Sequence, residues 1–446
     1  MKLPPVVLFA LVAILYIGTG FVQGWSVALT ILNMGFVSAI MALGLNMQWG
    51  FAGLFNVGVM GFVALGGLAT VLVGMPPVPE AWAAGGVPLI IALAVGAATI
   101  ALAILIFKRM PAGRARALAV TGFLIAGFLL YRYLFDPARD AVESINPAAT
   151  GYLGGINIFA LWRDGGSLQA DPFVLLAWPA GGLLAAGAAW LVGKTALGLR
   201  SDYLAIATLG IAEIIIAVMK NEDWLARGVK NVNGLPRPVP YEVSLQDSPG
   251  FVTRAASLGL PPDTASTIAV KLLYGGLFAA VLIVLIFAAQ LALKSPWGRM
   301  MRAIRDNETA ARAMGKDVTR RHLQIFILGS AICGLAGAMM TTLDGLLVPG
   351  SYQPLRFTFL IWVMVIVGGS GNNLGATLGG LLIWWLWIQV EPMGRLLMEV
   401  ITWPMPEGSG LRAHLLNSAQ HMRLLTMGII MLVVLRFSPR GLIPER

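Results

Sequence analysis

The stretch IAVKLLYGGLFAAVLIVLIFAAQLAL, residues 268–293, runs directly into KSPWGRMMRAIRDNETAARAMG, residues 294–315. The first carries a single charge, Lys271, over a length that crosses a bilayer, since a spanning helix needs about 20 mostly apolar residues for about 30 Å of hydrocarbon. The second carries Lys294, Arg299, Arg302, Arg305 and Arg312 against Asp306 and Glu308. A basic connection beside an apolar span marks the cytoplasmic side. This junction of span and basic loop sets both the solvent of the chain and its orientation.

Working outward, further apolar segments fall near 6–23, 28–47, 51–73, 87–107, 117–134, 174–193, 203–219, 323–344, 357–370, 374–390 and 424–437. Segments 51–73, 203–219 and 357–370 are short or Gly-interrupted, so the full crossings number about 10–12. Lys108, Arg109, Arg114 and Arg116, the 294–321 stretch, and Arg436, Arg440 and Arg446 all fall on one side when twelve crossings are counted. The expected fold is an all-α polytopic transmembrane helical bundle, one domain over 1–446, with N and C termini cytoplasmic. Met1-Lys2 and the apolar run after Val6 resemble a signal peptide. The run continues through Phe21 and Val22 with no small-residue cleavage site, so an uncleaved first helix is expected.

Composition agrees. Of 446 residues, 58% are hydrophobic and 12% charged, with mean hydropathy +0.80. A soluble domain carries about 25% charged residues. The net charge of +10 is largely accounted for by the basic loops and calls for no nucleic acid. Cys333 is the single cysteine, and His322, His414 and His421 are scattered, so neither a disulfide nor a metal site is expected. Gly193-Lys194-Thr195 imitates the end of a phosphate-binding loop, but that motif needs Gly where Ala188 stands. The chain is therefore expected to bind no nucleotide, and no cofactor is called for. Two long connections, 135–172 and the proline-bearing 220–267, are expected outside, either as binding surfaces or as plain loops.

In the basic loop, Ser295-Pro296 reads as a helix cap and first turn. Asp306 or Asn307 can cap a second short helix with Glu308 in its first turn, and Gly315 stops it. Ala310, Ala311 and Ala313 give that helix a small-residue surface on which another protein could sit. On its own, the pattern equally describes an amphipathic linker.

The segment Glu308-Thr-Ala-Ala-Arg-Ala-Met-Gly315 resembles the coupling loop of ABC importer permeases, with Thr309 where Ala is usual. More narrowly, the chain resembles the branched-chain amino acid permease family, in its second, longer permease type. The residues that carry this are Ser295-Pro-Trp-Gly-Arg299 through Arg305-Asp306 to Gly315, Ala42-Leu-Gly-Leu-Asn46 with Gly50-Phe-Ala-Gly53, and Asp202-Tyr-Leu-Ala-Ile-Ala-Thr-Leu-Gly210 with Glu213. Gly334-Leu-Ala-Gly-Ala338, Gly368-Gly-Ser-Gly371 with Gly375, and Arg436-Phe-Ser-Pro-Arg-Gly-Leu442 complete it. Residues 74–172, with helices near 87–107 and 117–134, match no block of the family and look like an insertion.

The resemblance implies a permease subunit that moves branched-chain amino acids or related small polar solutes by alternating access across a bacterial inner membrane. It implies two cytoplasmic ATPase subunits docked on 294–322 through Arg305, Asp306, Glu308, Ala310, Ala311 and Gly315. A second homologous permease and a periplasmic solute-binding protein meeting loop 220–267 complete the expected partners. The solute path is expected along Asn46, Gly50, Gly53, Asn56, Thr208, Gly210 and Glu213, where glycines open the backbone; the same glycines could serve helix packing alone. Glu213, inside an apolar segment, is open to three roles: meeting a solute ammonium, pairing with Lys220, or staying protonated. An ion-coupled secondary transporter of amino acids is the alternative, and it would be expected to carry carboxylates in several helices. A membrane enzyme would need a catalytic cluster that the sequence lacks.

Overall fold

The computed structural model describes residues 4–146, 151–159, 170–199, 201–403, 405–406 and 409–445. Met1, Lys2 and Arg446, named above, lie outside the described residues, as does part of the 135–172 connection.

Every expected segment contains a helix, although 51–73 is helical in full only from Val59 onward. The chain forms α1 (Pro5–Gln23), α2 (Trp25–Leu45), α3 (Val59–Gly74), α4 (Val87–Arg109), α5 (Arg114–Glu143), α6 (Ala177–Ala196) and α7 (Ser201–Asn221). It continues with α8 (Pro262–Lys294), the short α9 (Pro296–Asp306) and α10 (Glu308–Ala313), then α11 (Val318–Asp344), α12 (Pro354–Gly368), α13 (Asn373–Thr402) and α14 (Met422–Phe437). Among the described residues nine helices are long and apolar enough to cross a membrane, and Gly410–Asn417 with Met422–Phe437 makes a tenth, bent by 59°. α3 and α12 contribute shorter apolar helices. The molecule is an all-α polytopic bundle.

Small residues let its centre close. Among the long spans α2, α11 and α13 are the most enclosed, each burying two thirds or more of its apolar window, and the shorter α3 buries 13 of its 16 residues. Gly66 of α3 lies against the Gly334 carbonyl of α11, and Gly337 of α11 against the Val63 carbonyl, with Gly181 of α6 in contact with both helices. Association in lipid gains nothing from hiding apolar surface from water, so this backbone-to-backbone approach supplies the packing attraction.

The helix directions follow from such contacts. α1 and α2 fold back on each other at Gly24 (φ +99°), with Gly20 against Trp25 and Gly35 against Tyr16. The start of α1 therefore lies at the same end of the bundle as the last turn of α2. Glu445 reaches that end too, because it bonds Arg305 of α9. Both ends of the described chain thus share the face that carries α9 and α10.

The helices differ from the sequence expectation mainly at their margins. α5 runs on to Glu143, through Pro137, past its expected end near 134. The pairs Arg132–Asp136 at 2.9 Å and Arg139–Glu143 at 3.8 Å support the polar extension at helical spacing. The 222–261 connection, expected without helical pattern, contains the helices Glu242–Gln246 and Pro249–Ser257. Its Val232–Asn233 also pairs antiparallel with Leu346–Leu347 beyond α11. α4 and α5 pack chiefly on each other and own a separate small core of Leu89, Ala92, Phe135, Ala138 and Val142, joined by Trp224.

Candidate functional site

At the lower end of α2 the helix widens into a π-helical turn, Asn46–Gly50, and then breaks through residues 51–58 before α3 begins. Such turns within helices concentrate at functional sites. Gly53 takes φ +69°, which only a glycine adopts without strain, and directs the chain back upward. The polar side chains of the break are fully enclosed and mutually bonded. Asn46 Nδ2 donates to Asn373 Oδ1 at 3.2 Å, and Asn46 Oδ1 accepts from the Gly371 N–H at 2.9 Å. Gln48 Nε2 donates to the Phe326 carbonyl and to Ser330 Oγ, both at 2.9 Å, and its Oε1 accepts from Asn56 Nδ2 at 2.8 Å. Thr208 of α7 accepts from the Val57 N–H at 3.1 Å. Trp362 of α12 donates to the Asn56 carbonyl and stands 4.7 Å from the Trp49 ring and 4.6 Å from Phe55. The break is held open by bonds to four other helices.

The basic loop meets this break through one residue. Ser295 caps α9 by accepting from the Gly298 N–H, and Met301 and Ile304 bury its inner face. That sets Arg305 at the last turn, pointing into the bundle. Its Nη1 donates to the Gly50 carbonyl at 2.6 Å and to Glu445 Oε2 at 2.8 Å, and its Nε to Asp306 Oδ1 at 3.1 Å. Glu445 is positioned by the segment after α14, whose Leu442 and Ile443 N–H groups donate to the Val367 and Gly368 carbonyls, both at 2.9 Å. Pro444 accepts from Asn372 Nδ2 at 3.2 Å. The basic loop, the broken turn, the α12–α13 turn and the segment near 445 thus converge on one guanidinium. The sequence reading named Arg305, but nothing local to it revealed Glu445 or Asn372 as partners, because these contacts span over a hundred residues.

α10 hangs beyond this junction. Asn307, not Asp306, is its cap, accepting from the Ala310 N–H at 3.0 Å, and Glu308 pairs with Arg312 at 2.6 Å. Gly315 ends it with φ +73°. Glu308, Ala310 and Gly315 are exposed and Ala311 half-exposed. Met314 is 78% exposed, an apolar side chain with nothing of this chain to cover it.

The expected path residues divide into two groups. Asn46, Gly50, Asn56 and Thr208 are buried in the break, and Gly53 borders Arg305. Gly210 and Glu213 are not with them. The expectation of Glu213 as an enclosed carboxylate is corrected: α7 packs one face, through Thr208, Ala212 and Ile216, while Gly210, Glu213 and Ile214 point outward. Glu213 instead lines an open cleft of about 850 Å³ with Lys220, Glu391, His421 and Arg423. Glu391 and Arg423 form an ion pair there.

Comparison with known proteins bears on what such a junction and cleft serve. The family model described as "Branched-chain amino acid transport system / permease component" matches residues 27–152 and 148–435. The high-affinity branched-chain amino acid transport system permease protein LivM of Escherichia coli (strain K12) is 30% identical over 209 residues, covering 46% of this chain and 48% of that protein. A probable LivM of Methanocaldococcus jannaschii is 24% identical over 252 residues, covering 56% and 61%. The same organism's probable LivH permease is 31% identical over 112 residues, 24% of this chain and 35% of that protein. The chain spans about half the length of the enterobacterial relatives it matches. No solved structure gives a significant match.

Proposed function

This chain belongs to the branched-chain amino acid transport permease family, and from that premise we propose that it is the membrane-spanning subunit of an ATP-driven importer of branched-chain amino acids or related small polar solutes. The observation that carries the reading is Arg305, which ties an exposed, capped docking helix to the broken turn at membrane depth.

In this reading the α9–α10 end is cytoplasmic, at the inner membrane of a bacterium, and residues 294–322 receive two ATPase subunits that supply the hydrolysis. The small residues Ala310 and Ala311 and the bare Met314 suit a close-fitting groove on such a partner, with Asp306, Glu308 and Gly315 setting the helix ends. Motion of α9 pulls on the Gly50 carbonyl through Arg305. That shifts the Asn46–Asn56 break and, through Thr208, helix α7. The outward face of α7, with Gly210 and Glu213, forms one wall of the solute path, and a second, homologous permease forms the other. The kinship of this chain to a LivH as well as to LivM proteins supports a pair built from related halves. The 220–267 connection receives a periplasmic solute-binding protein, and the 74–172 segment is a family-atypical insertion carrying α4 and α5.

The test is reconstitution in liposomes of this chain with a second permease and two ATPases from the same transport system. Uptake of L-leucine delivered by its binding protein is expected to need ATP and all subunits. Uptake by this chain alone, driven by an ion gradient, would sink the proposal in favour of a secondary transporter.

A further inference from the structure

A second cavity lies inside the bundle, apart from the α7 cleft, with a volume of about 700 Å³. It is lined by α2, α8, α11 and α13, and Arg237 and Glu242 of the 222–261 connection line it as well. Two opposite charges face it without meeting. The Lys271 ammonium donates to the Ser26 carbonyl at 3.0 Å and Oγ at 2.6 Å, which leaves one proton unused and the charge without a counter-ion. The Asp344 carboxylate opens into the same cavity and forms no hydrogen bond or ion pair among the described residues. Arg237 and Glu242 pair with each other at 3.2 Å, and Glu242 reaches Lys271 only through longer-range attraction, with no hydrogen bond or ion pair to it among the described residues. By helix rise, Lys271 lies about 35 Å from Lys294 along α8, and Asp344 about 35 Å from Arg321 along α11. Both charges therefore sit at one depth, the far edge of the hydrocarbon.

Deeper in the cavity, two further polar atoms want partners. Asn33 is wholly buried; its Nδ2 donates to the Lys271 carbonyl at 2.9 Å, but its Oδ1 accepts from nothing. The indole N–H of Trp384 is likewise enclosed and unbonded. Leaving such atoms unmet is costly, so a site that keeps both is arranged for something else to meet them. The remaining lining is apolar, with Met34, Met60, Leu343 and Ile388.

We propose that this cavity is a binding site for an aliphatic α-amino acid zwitterion, held within this subunit alone. The ammonium group of the ligand meets Asp344 and Asn33 Oδ1. Its carboxylate meets Lys271 and the Trp384 N–H, and its side chain lies among the methionines and aliphatics. The site rests on the importer reading and adds to it where the solute is held: on the side of the 222–261 connection, where a delivering protein would release it. Only the start of α12 and neighbouring residues separate it from the α7 cleft, since Ser351 and Phe357 line the inner cavity while Tyr352 and Phe359 line the cleft.

The full chain in lipid nanodiscs, without partners, is titrated with radiolabelled L-leucine. Binding is expected, displaced by neither 4-methylpentanoate nor isoamylamine at equal concentration, because each carries one of the two charges. Asp344→Asn and Lys271→Met should each weaken binding at least about tenfold, the scale of a lost charge-assisted bond. Lys271→Arg should restore it to within about threefold, and Trp384→Phe should weaken it while keeping the packing. Size-exclusion profiles and melting temperatures confirm folding, so a variant that misfolds is replaced by the Trp384→Phe and Lys271→Arg comparison. No leucine binding to the folded chain, or binding untouched by all these changes, overturns the site. ATP-dependent uptake by the assembled importer is read separately, and its survival would leave the function standing without this cavity.

Discussion

Arg305 is the residue on which the coupling reading concentrates, and its geometry is demanding. One nitrogen is shared between the Gly50 carbonyl and Glu445, and the remaining nitrogens reach Asp306. A lysine keeps the charge but lacks the planar fork. Arg305→Lys is therefore expected to cut ATP-driven uptake about tenfold or more, with insertion and ATPase-subunit binding unchanged; full uptake would remove Arg305 from the relay. At this scale the sequence was partly legible. The loop showed Arg305 and its neighbours, and helical spacing placed Asn46, Asn56 and Thr208 in apolar surroundings. It did not show that Asn46 bonds Asn373, that Asn56 bonds Gln48 or that Thr208 accepts from the Val57 N–H, nor that Glu213 faces out. Which side of an apolar helix points inward depends on its neighbours, and α7 is apolar on both sides.

At the scale of elements, α10 packs chiefly on its neighbours α9 and α11 among the described residues and buries none of its own side chains. Its stability comes from the Asn307 cap, the Glu308–Arg312 pair and the Gly315 stop. Gly315→Val places a β-branched residue at φ +73° and should unravel the last turn. ATP hydrolysis is then expected to continue without uptake, and uptake equal to the parent would free α10 from any coupling role. The α4–α5 hairpin gives a different expectation. Gly85 lies against the Ala138 carbonyl, so the two feet of the hairpin touch. Excising residues 87–137 should leave the main bundle monodisperse in detergent, because the hairpin buries its contacts mostly within itself. Aggregation of the excised chain would show that it braces the bundle instead. The spans were legible throughout, since hydropathy alone marks them, but the short helices Glu242–Gln246 and Pro249–Ser257 were not. Margins were not: the polar continuation of α5 is helical because of its spaced ion pairs, which no hydropathy window registers.

The whole molecule places the ends of the described chain and the basic loop on one face, and the 222–261 connection on the other. Cys333 is buried, which makes the native chain a silent background for thiol labelling. Ala313→Cys is expected to react with an impermeant maleimide only after the cells are opened, and Ser257→Cys in intact cells. The reverse pattern would invert the orientation. The positive-inside count expects the ends and the basic loop on one side, and the proposed reading makes that side cytoplasmic, which this labelling pattern tests.

One consequence concerns synthesis. Glu445 and its neighbours leave the ribosome after every span has been made, yet Arg305, translated well over a hundred residues earlier, waits for them. A nascent chain can insert α1 to α11 and expose α10 to the cytoplasm while its guanidinium still lacks the carboxylate that completes the clasp. In the proposed reading the clasp on the basic loop is thus finished last, and a chain still lacking Glu445 would offer an ATPase partner only a loosened handle.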